Sequence, residues 1–232
     1  MHELLDHAPH RIISVITCHS KDDELIKKLL LLKKPVHEVN RKKLDDLSNS
    51  TSHQGYVVET LKRAQVNVQD IIDNAKKRSI VVILDSIFDP QNVGSIIRAC
   101  ECFGADALVY SKNKGCRITP TVTKTSVGGT EILPLIEVSN LASTIEKFQK
   151  GGYWAVTAQI GKTASSLYKF DFPEKTLLIL GSEGEGIQQL LSKKADFHVY
   201  IPMLGRIDSL NVSQAAAVFL NQFRYCSFLA KK

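Results

Sequence analysis

Three short stretches of this 232-residue chain concentrate residues able to do chemistry. The first, Asp85-Ser86-Ile87-Phe88-Asp89-Pro90-Gln91-Asn92-Val93-Gly94, leads into Ile96-Ile97-Arg98. The second is Leu180-Gly181-Ser182-Glu183-Gly184-Glu185-Gly186, and the third runs from Ile201-Pro202-Met203-Leu204-Gly205 through Arg206-Ile207-Asp208 to Ser209-Leu210-Asn211-Val212-Ser213. Each follows an apolar run. In open α/β sheets, ligands bind beyond the carboxyl ends of strands, where loops meet helix N-termini. Three such loops describe one composite ligand site, with glycines for close backbone approach and free helical amides as donors. Common alternatives fit less well. Gly181-x-x-Gly184-x-Gly186 lacks the dinucleotide spacing, and no Lys-Ser or Lys-Thr completes a P-loop. The seven histidines include no i, i+4 pair for a metal, and a Gly-x-Ser-x-Gly elbow is missing. Taken alone, the glycines of the second stretch also suit a simple tight turn.

The elements that must position these loops alternate between strand and helix. Ile80–Leu84 is a continuous β-branched run, the texture of a parallel strand buried on both faces. Asn92–Phe103 is a helical pattern with Val93, Ile96, Ile97 and Cys100 on one side. Strands are expected at Ala107–Tyr110, Trp154–Val156, Leu177–Leu180 and Val199–Ile201, and helices at Leu141–Gln149, Ile187–Lys193 and Val212–Phe223. This alternation predicts an α/β domain with a parallel sheet. Ahead of it, a strand at Ile12–Ile16 precedes a helix over Lys21–Lys33, N-capped by Ser20 and ended by Pro35. Short strands at Val36–Val39 and Gly55–Val58 flank a polar loop, Asp45–His53. Polar Glu59–Arg78, with a weak helix at Val68–Ala75, reads as connecting chain. The expected division is a small domain over 1–60, a linker over 61–78 and the larger domain over 79–232.

Composition sets the outer bounds. With 44% hydrophobic and 23% charged residues the chain is ordinary globular protein. Its longest apolar runs, such as Leu29–Leu32 and Ile80–Leu84, fall far short of the roughly 20 residues of a membrane helix. Glu3, Asp6 and His7 occupy the place of a signal peptide's apolar core. Five cysteines, with Cys100-x-Cys102 lacking a second pair, predict buried thiols in a cytoplasmic protein and no metal. The net charge of +6 is shared as +3 on each side of Arg78. Tight basic groups at Lys27-Lys28, Lys33-Lys34, Arg41-Lys42-Lys43 and Lys76-Lys77-Arg78 permit nucleic-acid binding, though a solvated face accounts for them equally.

The order and spacing of Asn92-x-Gly94-x-x-x-Arg98 with Phe103-Gly104, Gly181-Ser182-Glu183-Gly184-x-Gly186, Ile201-Pro202-Met203-x-Gly205 and Ser209–Ser213 resemble the three signature motifs of the SpoU (TrmH) family of tRNA/rRNA 2′-O-ribose methyltransferases. The resemblance spans about residues 80–225. It implies a trefoil-knotted parallel-sheet domain, S-adenosylmethionine as cofactor, and a homodimer whose two chains complete the site. It further implies that Gly181, Ile201, Met203 and Leu210 hold the adenosyl part, joined by Thr157 in the loop after the Trp154–Val156 strand. The N-terminal part, ending His53-Gln54-Gly55-Tyr56-Val57-Val58, resembles the ribosomal-protein-like RNA-binding domain of the rRNA-modifying branch. Lys124-x-Ser126-x-Gly128-Gly129 and Leu133-Pro134 match that branch too. This favours a 23S rRNA guanosine enzyme over a tRNA guanosine enzyme or a catalytically silent RNA-binding member. By the same resemblance the first domain is shortened, since Met1-His2-Glu3-Leu4-Leu5 falls inside the family's first helix.

The resemblance also assigns roles to residues. Arg98 matches the arginine usually proposed to activate the hydroxyl. A guanidinium stays protonated at neutral pH, so the expected role is to bind the 3′-phosphate and the developing alkoxide. Asn92 and Asn211 would fix Arg98 and the ribose through amide hydrogen bonds. Glu183 would pair with Arg98 bidentately. Ser209 would bond the substrate or the partner loop, and Ser209 and Asn211 are both also good caps for the helix starting at Val212.

Overall fold

A computed structural model describes residues 1–48, 51, 53–63, 65–161 and 163–229. Asn49, Ser50 and Ser52 of the expected polar loop, Ala64 of the expected linker and the side chain of Cys226 lie outside the described residues. The chain divides into two units, Met1–Ala64 and Gln65–Lys232.

The first unit holds α1 (His2–His7), β1 (Ile12–Thr17), α2 (Glu24–Leu31), β2 (Val36–Glu38), α3 (Arg41–Ser48) and β3 (Tyr56–Thr60). β1 is central, parallel to β2 and antiparallel to β3. Leu4, Leu5, Ile12, Val15, Ile26 and Leu29 form its core. Three expectations are corrected here. Asp23, not Ser20, caps α2, accepting from the amides of Leu25 (2.9 Å) and Ile26 (3.3 Å). Residues 41–48, including the start of the expected loop, are helical because Leu44 buries completely beneath α3. The helix over Lys21–Lys33 stops at Leu31. Lys33 turns left-handed (φ 54°), and the amides of Lys33 and Lys34 close onto the carbonyls of Leu30 and Leu29, a Schellman end.

The second unit contains α4 (Val68–Asp73), β4 (Ser79–Leu84), α5 (Pro90–Cys102), β5 (Ala107–Ser111), α6 (Pro120–Thr125), α7 (Gly129–Ile132), β6 (Leu135–Val138), α8 (Leu141–Lys150), β7 (Trp154–Ala158), β8 (Ser165–Ser166), β9 (Lys175–Leu180), α9 (Gln189–Lys194), β10 (Phe197–Tyr200) and α10 (Val212–Leu229). Seven strands, all parallel, lie in the order β6-β5-β4-β9-β7-β10-β8. Every residue of β4 is buried, as its β-branched run predicts. Ile80, Val82 and Leu84 meet α5 and α10 on one face, while Val81 and Ile83 meet α8 and α9 on the other. The expected linker is also corrected. Asn67 and Asp70 form a capping box for α4, and Val68, Ile71, Ile72 and Ala75 pack on the second core. Of the described thiols only Cys100 is buried; Cys102 is exposed, and Cys18 and Cys116 are partly covered. No described helix is long and apolar enough to cross a membrane.

Candidate active site

The sheet order explains how distant motifs meet. β4 and β9 are neighbours, with Leu84 opposite Leu180, so the first two loops leave the sheet side by side. Asp85, the first residue past β4, is fully buried. Its amide bonds the Leu180 carbonyl (2.9 Å), and its carboxylate accepts from the Ser86 hydroxyl (3.0 Å) and from the amide (2.7 Å) and side chain of Gln188. The second loop thereby hangs between Leu180 and Gln188. It closes on itself through paired backbone bonds between Ser182 and Gly186. A Cβ on Gly181 would sit 2.3 Å from the Gly186 carbonyl carbon, so the turn itself demands that glycine.

The first loop becomes α5 through Asp89, whose carboxylate caps the amides of Gln91 and Asn92, with Pro90 at the first helical position. Gly94 serves packing. A Cβ there would lie 2.6 Å from Thr125 Cβ and 2.9 Å from the Val122 carbonyl, where α6 crosses α5. At the end of the third loop Asn211 caps α10, its Oδ1 accepting from the Ser213 amide (2.9 Å) and hydroxyl (2.6 Å).

One cluster joins all three loops. Asn211 Nδ2 donates to Asn92 Oδ1 (2.8 Å) and to Glu183 Oε1 (2.6 Å). Asn92 Nδ2 and the Val212 amide donate to the same Glu183 oxygen, each at 3.3 Å. The carboxylate therefore stands at the N-terminus of α10, where the helix dipole favours negative charge.

Of the residues expected to act, the structure brings Asn92, Glu183 and Asn211 together, but not in the expected pairing. Arg98 is exposed, and its guanidinium makes no hydrogen bond or ion pair among the described residues. Six positions beyond Asn92 on a helix, it lies about 9 Å further along the axis and about 120° around it. Asn92 and Asn211 bond Glu183 Oε1 instead, and neither the expected Arg98–Glu183 pair nor the amide bonds to Arg98 are formed. Ser209 does not cap α10; it is exposed, with its hydroxyl 3.4 Å from Asp208 Oδ1. Thr157 is inside β7 rather than in the loop after it. It is fully buried, its hydroxyl 2.7 Å from His198 Nδ1 on the adjacent β10.

A cleft of about 280 Å³ opens along the third loop, lined by Ile160, Tyr200, Ile201, Met203 and residues 205–208. Small-molecule sites run roughly 300–1,000 Å³, so this cleft falls just below that range. Its apolar Ile160, Ile201, Met203 and Ile207 suit a flat heterocycle, and the Asp208 carboxylate suits hydroxyl donors. Of the residues expected to hold the cofactor, Ile201 and Met203 line this cleft, and Gly181, Leu210 and Thr157 do not. Sequence reasoning missed Asp85 and Gln188, whose types look like ordinary loop residues. Asp89 had a readable signal, an acid directly before a helix-starting proline.

Comparison with known proteins agrees with this geometry. The model of RNA 2′-O ribose methyltransferase substrate-binding domains matches residues 2–66. A 23S rRNA (guanosine-2′-O-)-methyltransferase, RlmB, of Pseudomonas putida is 32% identical over 94% of this chain and 90% of its own length. The same enzyme of Coxiella burnetii is 33% identical over 94% and 89%. Among solved structures, the AdoMet-bound rRNA methyltransferase of Sinorhizobium meliloti superposes with a TM-score of 0.82 at 21% identity, covering 97% of this chain and 85% of that one. The model of the SpoU rRNA methylase family matches residues 79–221, the stretch that carries all three loops, and the chain belongs to that family.

Proposed function

We propose that this protein transfers a methyl group from S-adenosylmethionine to the ribose 2′-hydroxyl of a guanosine in ribosomal RNA. The observation that carries the reading is the Asn92–Glu183–Asn211 cluster, which ties the three family loops into one site. The choice of rRNA and of guanosine is supported by relatives that align with this chain along about nine-tenths of their length.

The cofactor, when bound, supplies an electrophilic methyl group on a sulfonium centre. The cleft would take its adenosyl part through Ile201 and Met203, which line it, whereas a role for the Gly181 backbone and Leu210, which do not line it, rests on the family resemblance alone. Thr157, its hydroxyl already engaged by His198, contributes backbone only. Arg98 would bind the phosphate on the 3′ side of the target and stabilise the developing alkoxide, the hydroxyl proton passing to water as the new oxygen–methyl bond forms. The exposure of its guanidinium, and the absence of a side-chain partner for it among the described residues, support that role. One well-aimed donor to such an oxyanion is worth about 2.7–4 kcal/mol, or about 10²–10³ in rate. Asn92, Glu183 and Asn211 hold the loops in register beneath the ribose, and the exposed Ser209 bonds the substrate or a partner chain. The family's knotted threading of residues 201–211 and a homodimeric, cytoplasmic enzyme belong to the same proposal. The dimer is supported by Leu204, Ile207 and Ile160, apolar side chains 99%, 76% and 73% exposed around that loop.

Transfer of tritium from labelled S-adenosylmethionine to transcripts tests the reading. Label in 23S rRNA, at a guanosine ribose, is expected. Label confined to tRNA would replace the substrate, and cofactor binding without transfer to any RNA would overturn the enzymatic reading.

A further inference from the structure

We infer that the segment from Lys112 to Lys124 is a phosphate-binding ledge for the substrate RNA, located on the catalytic unit itself. The inference rests on the RNA-methylating reading and assigns it a contact surface. The segment follows β5 and leads through α6, at the carboxyl edge of the sheet where the candidate site lies. Its thirteen residues include Lys112, Lys114, Arg117 and Lys124 and no carboxylate.

The ledge is held in place. The Ser111 hydroxyl accepts from the amides of Asn113 (3.2 Å) and Lys114 (3.0 Å), turning the chain directly after β5. The Cys116 amide donates to the carbonyl of Ile87 in the first loop (2.9 Å). Lys114 Nζ donates to Gln188 Oε1 (3.1 Å), and Gln188 is the residue that Asp85 grips. The basic segment is therefore fastened to both of the first two loops. Beyond it, α6 lies against α5 at Gly94, four residues before Arg98.

Its charges are free for a ligand. The side chains of Lys112, Arg117 and Lys124 are exposed and make no hydrogen bond or ion pair among the described residues. Three other lysines of this unit are paired, Lys76 with Asp106, Lys77 with Glu174 and Lys194 with Glu146, and what sets the segment apart is that its basic residues gather without a carboxylate beside the candidate site. The carboxylate of nearby Asp89 is committed to the amides capping α5. A row of unpaired cations on a pinned backbone, next to a site that must receive a polyanion, matches the sugar–phosphate chain flanking the target nucleotide. Such contacts position a strand without reading its sequence.

The test is filter binding of radiolabelled 23S rRNA transcript to the full chain over a range of salt concentrations. The double variant Lys112→Gln/Arg117→Gln is compared with wild type, and Lys112→Arg/Arg117→Lys serves as the charge-preserving control. Each phosphate contact contributes about 0.7–0.9 to the slope of log K against log salt, so the double variant is expected to flatten it by about 1.4–1.8. The Michaelis constant for RNA should rise, with the turnover number and S-adenosylmethionine affinity unchanged, and the control should restore the slope. An unchanged slope in a double variant with wild-type melting overturns the inference. Failure of the wild-type chain to bind S-adenosylmethionine would instead refute the methyl-transfer reading, leaving the salt slope to be judged separately.

Discussion

Replacing Asp85 should damage the site without touching any residue that meets a ligand. Its carboxylate is fully buried and satisfies three donors, the Gln188 amide, the Gln188 side chain and the Ser86 hydroxyl. Asp85→Ala leaves these donors facing a small hole. A buried donor without a partner costs about 1–3 kcal/mol, while the Ser86 hydroxyl and the half-buried Gln188 amide group can recover part of their loss by rotating toward water. The net expectation is about 3–5 kcal/mol, the summed loss at three neutral donors less what rotation toward water recovers. Asp85→Asn keeps one carbonyl for the Gln188 amide and should cost about half as much. Urea unfolding followed by the fluorescence of Trp154, the chain's single tryptophan, reports on the second unit directly. At about 2–4 °C per kcal/mol for a unit of this size, Asp85→Ala should lower the melting temperature by roughly 6–20 °C. A loss below about 1 kcal/mol would refute the reasoning, since these donors would then be no worse off unpaired. Equal losses for the Ala and Asn variants would do so as well.

Other expectations follow from the same geometry. Glu183→Ala should abolish most methyl transfer yet cost only about 1–2 kcal/mol of stability, because its donors are exposed enough to find water; Glu183→Gln, which keeps one acceptor oxygen, should recover part of the activity, and equal rates for the two would count against the cluster. Gly94→Ala should destabilise by about 1–3 kcal/mol through overpacking against α6, measured by urea unfolding, and a neutral result would contradict the close crossing. In the first unit, the Asp23 carboxyl is held below the usual carboxylate range, chiefly by a hydrogen bond from Tyr56, with the cap bonds of α2 adding and burial opposing. A depressed folded pKa stabilises fully above the unfolded value, and the contribution is lost as pH falls through the folded one. Tyr56→Phe should shift the Asp23 titration upward in carboxyl NMR, and an unmoved titration would rule out that bond.

Much of the second unit is legible in sequence because its signals are local. The Ile80–Leu84 run has one low-energy fate, a parallel strand covered on both faces, and it occupies that place. The errors arise where tertiary contact overrides local pattern. Ser20 and Asp23 are both competent caps, but only Asp23 also receives a bond from Tyr56 on β3. Residues 61–78 look polar in aggregate, whereas Ile71 and Ile72 lie on one stripe that docks onto a core built mainly from residues beyond 80. The site divides the same way. Asn92, Glu183 and Asn211 lie 91, 28 and 119 residues apart in their pairings, and no spacing rule joins them. Motif resemblance named them, and the adjacency of β4 and β9 together with the return of α10 brings them into contact. The expected Arg98–Glu183 pair is not formed: Asn92, Asn211 and the Val212 amide gather on one Glu183 oxygen, while Arg98 lies further along α5.

If these three loops, acting with Arg98, methylate a ribose in ribosomal RNA, then 2′-O-methyl groups mapped along 23S rRNA from cells lacking this protein, complemented with either wild type or Arg98→Ala, should reveal it. One guanosine should lose its ribose methyl in the deletion, regain it with wild type and stay unmethylated with Arg98→Ala although the variant still binds S-adenosylmethionine. An rRNA methylation pattern indifferent to the deletion, or full restoration by Arg98→Ala, would contradict it.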